Sequence, residues 1–340
     1  MVAAMAIRQM IVGTALAALG VLSLTPVLVP DAEAGQKSML LDEHWLASDP
    51  DSKVTIEHDD WQAFLDTYLE VAPPYDPSLE VTYANERSNR RIFANYEIHD
   101  QREVVGKHQG RKENLSRFDY GAVRAEDRVR LNNYLTRMQA VEVSKLNRDE
   151  QEAFWINLYN ALVTKIVLDN YPIDSILDVD LSDDPLRRGP WTARLVTVEG
   201  RELSLDNIAH NILRPIWKDE RLIYALSCGA LGCPEPIPTV FAADTTELLL
   251  EQAATRFVNH PRGASIREIN KRRDSINGDG RLYVSSLYTW YREDFGGKRA
   301  DINIISHLRD YADDHLLPML ERAGEIDDEG FDWGLNDIED

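Results

Sequence analysis

"AFWINLYNALVTKIVL", residues 153 to 168, decides how the rest of the chain must be arranged. Apolar side chains occupy nearly every position instead of a single stripe, the pattern of a helix buried on all sides. Asn147 and Glu150 stand ahead of it as N-cap and N3 in a capping-box arrangement, and Tyr171-Pro172 closes it. Asn157, Asn160 and Thr164 interrupt the apolar pattern, and their spacing puts them on one stripe of the helix. A buried amide left without a partner destabilises by roughly 1 to 3 kcal/mol, so the stripe must face polar groups. It either ties down neighbouring loops or belongs to a reactive site. Both readings require low exposure, and the first is the commoner role of buried polar groups.

A helix buried all round needs elements on every side. Upstream, Trp61, Phe64, Leu65, Tyr68 and Leu69 follow helical spacing between His58 and Val71, after a lead-in to Asp51 that reads as mobile. Leu131, Tyr134, Leu135, Met138 and Val141 do the same from Ala125 onward. Residues 80 to 117 predict a helix around Ile92, Phe93 and Tyr96 and a charged loop at 106 to 113. Downstream the texture changes. "ARLVTVEGRELSL" predicts a hairpin about Glu199-Gly200, and "SLDNIAHNILRPIW" a short helix capped by Ser204 or Asp206. "RLIYALS" reads as a buried strand ending at Cys228. A helix over Thr245 to Asn259 follows, then strands near Ala264 to Ile269 and Leu282 to Ser285 about a turn at Asn277 to Gly280, and helices Leu287 to Phe295 and Asp301 to Leu320. The expected class is α+β, predominantly helical with one small, mostly antiparallel sheet.

Composition and the ends of the chain bound the function. Arg8, a nearly uncharged run from Met10 to Val29 and Ala32-Glu33-Ala34 have the layout of an export signal over residues 1–34, with a retained membrane anchor as the alternative. Cleavage would leave a periplasmic or secreted protein, since no later stretch is apolar enough to span a bilayer. The remainder divides into a helical N-terminal extension, 35–145, a main domain, 146–322, and an acidic segment, 323–340, whose Phe331, Trp333 and Leu335 dock it on the body. The formal charge of −21 repels nucleic acid and anionic lipid, which leaves a small molecule or peptide as the expected ligand class. The basic clusters Arg87 to Arg91 and Arg267 to Arg273 read as solvated faces.

The chain has two cysteines, Cys228 and Cys233, inside "YALSCGALGCPEPIP", residues 224 to 238. Four chemistries compete there. Cys228 could be a nucleophile with His210 as base and Asn160 as the group that orients it. Cys228, Cys233 and His210 supply three zinc-type ligands, but no second His or Cys pair completes a site, and neither a metal nor another cofactor is expected. The spacing is not the C-x-x-C of redox exchangers. A disulfide closing the small ring is the preferred reading for an exported protein, with Gly229 and Gly232 giving the backbone its freedom.

Five ordered motifs, "FWINLYNAL" (154 to 162), "SLDNIAHNILR" (204 to 214), "RLIYALSCGALGCP" (221 to 234), "WYREDF" (290 to 295) and "DWGLN" (332 to 336), together resemble the bacterial branch of the domain-of-unknown-function family numbered 547. The resemblance implies a layout and no settled activity. Two positions depart from it: Ala209 stands where the family often has Glu before the motif histidine, and Ile223 where it often has His ahead of the cysteine loop. An acid/base site built on those two family residues would be incomplete here. The two functions that remain are a binding or structural module with a groove near the polar stripe and the cysteine loop, and a cysteine-dependent hydrolase or acyl transferase using Cys228 and His210.

Overall fold

The computed structural model describes residues 41–77, 115–181, 189–267 and 281–338. The proposed signal over 1–34, the helix near Tyr96 with its charged loop, the basic cluster at Arg87 to Arg91 and the turn at Asn277 to Gly280 lie outside the described residues. In chain order the elements are α1 (Asp59–Tyr68), β1 (Leu69–Glu70), β2 (Arg117–Phe118), α2 (Ala125–Gln139), α3 (Arg148–Asn170), β3 (Val196–Val198) and β4 (Arg201–Leu203). A π-helical turn, Asn207–Leu213, runs into α4 (Arg214–Trp217) and is followed by α5 (Leu222–Ala225) and α6 (Thr246–Val258). The chain then forms β5 (Ala264–Arg267), β6 (Arg281–Ser285), α7 (Ser286–Trp290), α8 (Ala300–Tyr311), α9 (Leu317–Leu320) and β7 (Asp328–Gly330).

Helix α3 is the axis of the larger of two hydrophobic clusters, with Phe154, Ile156, Leu158, Ala161 and Val167 fully enclosed. Helices α1 and α2 supply Trp61, Phe64, Leu131 and Tyr134 from one direction, and the π-turn supplies Ile208 and Ile212 from another. Each such side chain contributes roughly 1.5 to 3 kcal/mol when removed from water, so α3 is held by its surroundings and not by its own propensity. Asn147 caps it as expected, its Oδ1 accepting from the Glu150 N–H at 2.9 Å. The Glu150 carboxylate does not return the bond; it accepts instead from the Ile56 N–H at 2.6 Å and ties the N-terminal lead-in to the helix. The described part of that lead-in, residues 41–51, packs against the body, contrary to its sequence reading: Trp45 is buried edge-on against Trp155 and Arg148 donates to the Trp45 and Leu46 carbonyls. The second cluster gathers Tyr224, Phe257, Val258, Leu282, Val284, Tyr288, Ile304 and Leu308 around α6, β6 and α8.

The class is α+β and mostly helical, but the described strands form three small sheets, not one. β1 pairs with β2, and β3 with β4 across Glu199 and Gly200, which both adopt positive φ (48° and 76°) as a two-residue hairpin turn requires. β5 and β6 pair antiparallel, and β6 pairs parallel with β7. None of these strands exceeds five residues; the first two sheets contribute Leu69, Phe118, Val196, Val198 and Leu203 to the larger cluster, and β5 and β6 contribute Ala264, Leu282 and Val284 to the second.

"RLIYALS" departs furthest from its sequence reading. Its first half is the helical turn α5, begun where the Arg221 N–H donates to Asp219 Oδ1 at 2.8 Å, and only Leu226 and Ser227 are extended. A compact apolar run suits a buried helical turn as well as a strand, and here no neighbouring strand pairs with it. The helix expected over Asp301 to Leu320 is likewise two, α8 and α9, separated by Ala312 to Leu316. No helix among the described residues is long and apolar enough to cross a membrane.

Candidate functional site

The polar stripe of α3 acts as a surrogate strand. Asn157 accepts from the Phe241 N–H at 3.0 Å and donates to the Phe241 carbonyl at 2.8 Å. Asn160 accepts from the Ser227 N–H at 2.9 Å and donates to the Ala225 carbonyl at 2.8 Å. Each carboxamide therefore takes the place of a peptide group and satisfies an extended segment that has no β neighbour. Asn157 and Thr164 are buried; Asn160 is half-buried. All three line a small pocket with Trp61, Tyr120 and Gly229, but its volume of about 20 Å³ suits a water molecule and not an organic ligand.

Ser227 leads directly into the cysteine loop. Cys228 and Cys233 are joined in a disulfide. Gly229 has φ +81°, and a Cβ on Gly232 would stand 2.6 Å from the Asp332 nitrogen, so the loop depends on both glycines. The reason for the close approach is the C-terminal segment. Leu231 and Gly232 donate their N–H groups to the carbonyls of Gly334 (2.7 Å) and Asp332 (2.8 Å), and Asn336 donates to Gly229 O (3.1 Å). Ala230 and Leu335 form an antiparallel bridge. Trp333 stacks on Trp290, Phe331 meets both rings at a tilt, and Leu335 is buried in the larger cluster.

His210 lies on the π-turn within a different group of charges. Arg214, with 2% of its side chain exposed, makes a two-pronged pair with Asp294 (2.7 and 2.9 Å), and its Nη1 donates to His210 Nδ1 at 2.7 Å. The same guanidinium sits 4.6 Å from the centre of the Tyr291 ring. A guanidinium only donates, so Nδ1 of His210 accepts and the ring proton is on Nε2, 3.8 Å from Asp206 Oδ1. Burial raises the Asp294 carboxyl against the pull of Arg214 and pushes the Tyr291 phenol up to about 12. The reserved cap was Ser204: its Oγ accepts from the Asn207 N–H at 3.2 Å while Asn207 Oδ1 accepts from the Ser204 N–H at 3.1 Å.

Of the proposed thiol site, the structure joins Asn160 to the residue preceding Cys228, and it gives His210 Nδ1 to Arg214. Cys228 carries no thiol while paired, and His210 presents no vacant acceptor nitrogen. Among the described residues no group of three or more His, Cys, Asp and Glu is arranged to hold a metal ion.

The residues with the most distinctive surroundings were not singled out by sequence reasoning. Glu235, just past the cysteine loop, has 6% of its side chain exposed and meets two guanidiniums, Arg256 at 2.6 Å and Arg262 at 3.3 Å. Arg262 also donates to the carbonyls of Leu231 (2.7 Å) and Cys233 (2.5 Å), and burial lowers it to about 10. Arg256 donates to Ala72 O (2.6 Å) and to Ser116 Oγ (3.2 Å), and the Ser116 hydroxyl in turn donates to Glu235 Oε2 (2.8 Å). These groups form one cluster in the lining of a groove of about 440 Å³, whose walls are mainly apolar and include Val71, Pro74, Ile237, Leu249, Ala253 and Phe257. Pro236 and Ile237 separate it from the small pocket beneath the stripe. "HPRGAS" and "CPEPIP" offered a faint signal, a single charge set among Pro and Gly, but nothing in their spacing pairs them.

Residues 143–258 match the family described as protein of unknown function, DUF547, so the chain carries a domain of that family there. The matched span includes α3, the π-turn, the cysteine loop and α6. No curated protein and no solved structure matches the chain.

Proposed function

We propose that this chain is an exported protein of the bacterial branch of that family and works as a binding module, its ligand held in the groove between the 235–238 loop, α6 and Val71. One observation carries the reading: the groove is of the size in which small-molecule sites occur, mainly apolar in its lining and with one bonded cluster of charged groups among its walls. The disulfide beside it fits an oxidising compartment. Its role is to shape the loop that carries Glu235 and receives the C-terminal segment. A cysteine-dependent hydrolase would need a thiolate at Cys228 and an accepting nitrogen on His210, and the disulfide and Arg214 occupy both.

The test is the fluorescence of Nile red, a neutral apolar dye, titrated with the purified protein. Binding should brighten the dye, and Ala253→Trp, which fills the groove wall, should abolish the response, with Val71→Trp as a second variant at an exposed wall position. Equal responses in wild type and both folded variants would place the dye elsewhere and overturn the groove. Intact mass with an alkylating agent, before and after reduction, tests the chemistry: two thiols modified without reduction would restore the enzyme reading.

A further inference from the structure

The groove is lined by unbalanced charge. Glu235 is a single carboxylate shared between two guanidiniums, and Asp332, the other carboxylate acting on Arg262, does not line the groove, so within the lining this cluster presents two cations against one anion in a chain whose formal charge is −21. The two arginines divide the work. Arg262 is enclosed: its Nη1 spans two carbonyls of the cysteine loop, its Nη2 meets Glu235, and its Nε–H is buried without an acceptor among the described residues. Arg256 is the accessible one, with 26% of its side chain exposed. Its Nε and Nη2 are committed to Glu235, Ala72 and Ser116, and its Nη1 has no hydrogen-bond partner among the described residues. Glu251 also lines the groove; it shares Arg221 with Asp219 and Glu247, and with 55% of its side chain exposed its charge is screened by solvent, unlike that of the enclosed Glu235.

Resting on the groove as the ligand site, we propose that its ligand is an amphiphilic monoanion, an apolar body ending in a carboxylate that pairs with Nη1 of Arg256. The apolar walls take the body, and the head restores charge balance in a place where water is largely replaced by side chains. A cation would meet two guanidiniums there, and a neutral ligand would leave the excess charge and the Nη1 donors unanswered. A charge-assisted hydrogen bond in such a setting is worth about 1.5 to 3 kcal/mol, which corresponds to about tenfold or more in affinity.

The experiment is isothermal titration calorimetry of the purified protein with decanoate, decanol and decyltrimethylammonium. Decanoate should bind at least about tenfold more tightly than decanol, and the cation most weakly. Arg256→Gln should bring decanoate down to the level of decanol and leave decanol unchanged. Glu235→Gln, which increases the excess charge, should bind decanoate no more weakly than wild type, an outcome that simple structural damage would not produce. Equal affinities for decanoate and decanol in wild type, no binding of decanoate, or an equal loss of both in Arg256→Gln would overturn the proposal. Nile red binding that Ala253→Trp removes, together with no preference for decanoate, would overturn the charge inference and leave the groove standing. Failure of Nile red to bind would remove both.

Discussion

Two arginine networks are anchored in the family-matched region, one at Arg214 and the other at Glu235 and Arg256, and they differ in one respect. Under the π-turn, Arg214 is almost wholly enclosed, its charge answered by both oxygens of Asp294 and its remaining fork donating to His210. Beside the cysteine loop, two arginines share Glu235, and one of them keeps part of its guanidinium open to a groove. The closed network has no vacant donor facing a cavity and serves to fix the π-turn against the loop after α7. The open one leaves a charge and a donor for something that is not part of the chain. Buried charge alone therefore does not mark a site; charge left unbalanced at the wall of a cavity does.

The sharpest way to break this comparison is Arg214→Met. It leaves Asp294 buried without its partner and should lower the urea-unfolding free energy by about 3–5 kcal/mol. A change below about 1 kcal/mol would show that the enclosed pair does not hold the fold.

Acid should act on a third enclosed group. Burial holds His58 down at about 4, against an ordinary value of 6.5, with its Nδ1 2.7 Å from the Tyr134 hydroxyl. The unfolded chain therefore takes up a proton between pH 6.5 and pH 4 that the folded chain refuses. The stability present above pH 6.5 is lost as the pH falls through that window, by at most about 3 kcal/mol. Glu152, raised to about 8 by burial and by Asp219 and Asp149, slopes the opposite way, so the observable is the difference between wild type and His58→Gln across the window. Parallel stability curves for the two proteins would remove His58 from the account.

The polar stripe offers a smaller contrast of the same kind. Asn157→Leu orphans the N–H and carbonyl of Phe241 in a buried site and should destabilise by about 2 kcal/mol. Asn160→Leu strips Ala225 and Ser227 at a half-buried position, where water partly replaces the amide, and should be the milder of the two. Equal midpoints for both variants and wild type in denaturant would show that these segments hold without their surrogate partners. Smallest in stability is Arg256→Gln, at about 1 kcal/mol or less, because the side chain is partly exposed and Arg262 remains on Glu235. If it matched Arg214→Met in its effect on folding, the open network would be as structural as the closed one.

Local pattern alone made several features legible. The apolar circumference of α3 required a core on every side, its N-cap was visible at Asn147, the hairpin at Glu199-Gly200 followed from its turn residues, and the two amides of the stripe, Asn157 and Asn160, had to find partners. These are properties of neighbours within a turn or two, where periodicity and turn chemistry act directly. Which partners the stripe found was not legible, because Asn157 and Phe241 are brought together by packing and not by spacing. The same holds for "RLIYALS", whose last residues are satisfied by an amide on α3 and so need no strand beside them. Sequence offered His210 as one candidate partner of the cysteine loop by proximity along the chain; that its Nδ1 accepts from Arg214 is visible only in the tertiary structure. Tertiary structure also assembled Glu235, Arg256 and Arg262, since what balances a charge is set by the groups that surround it in space.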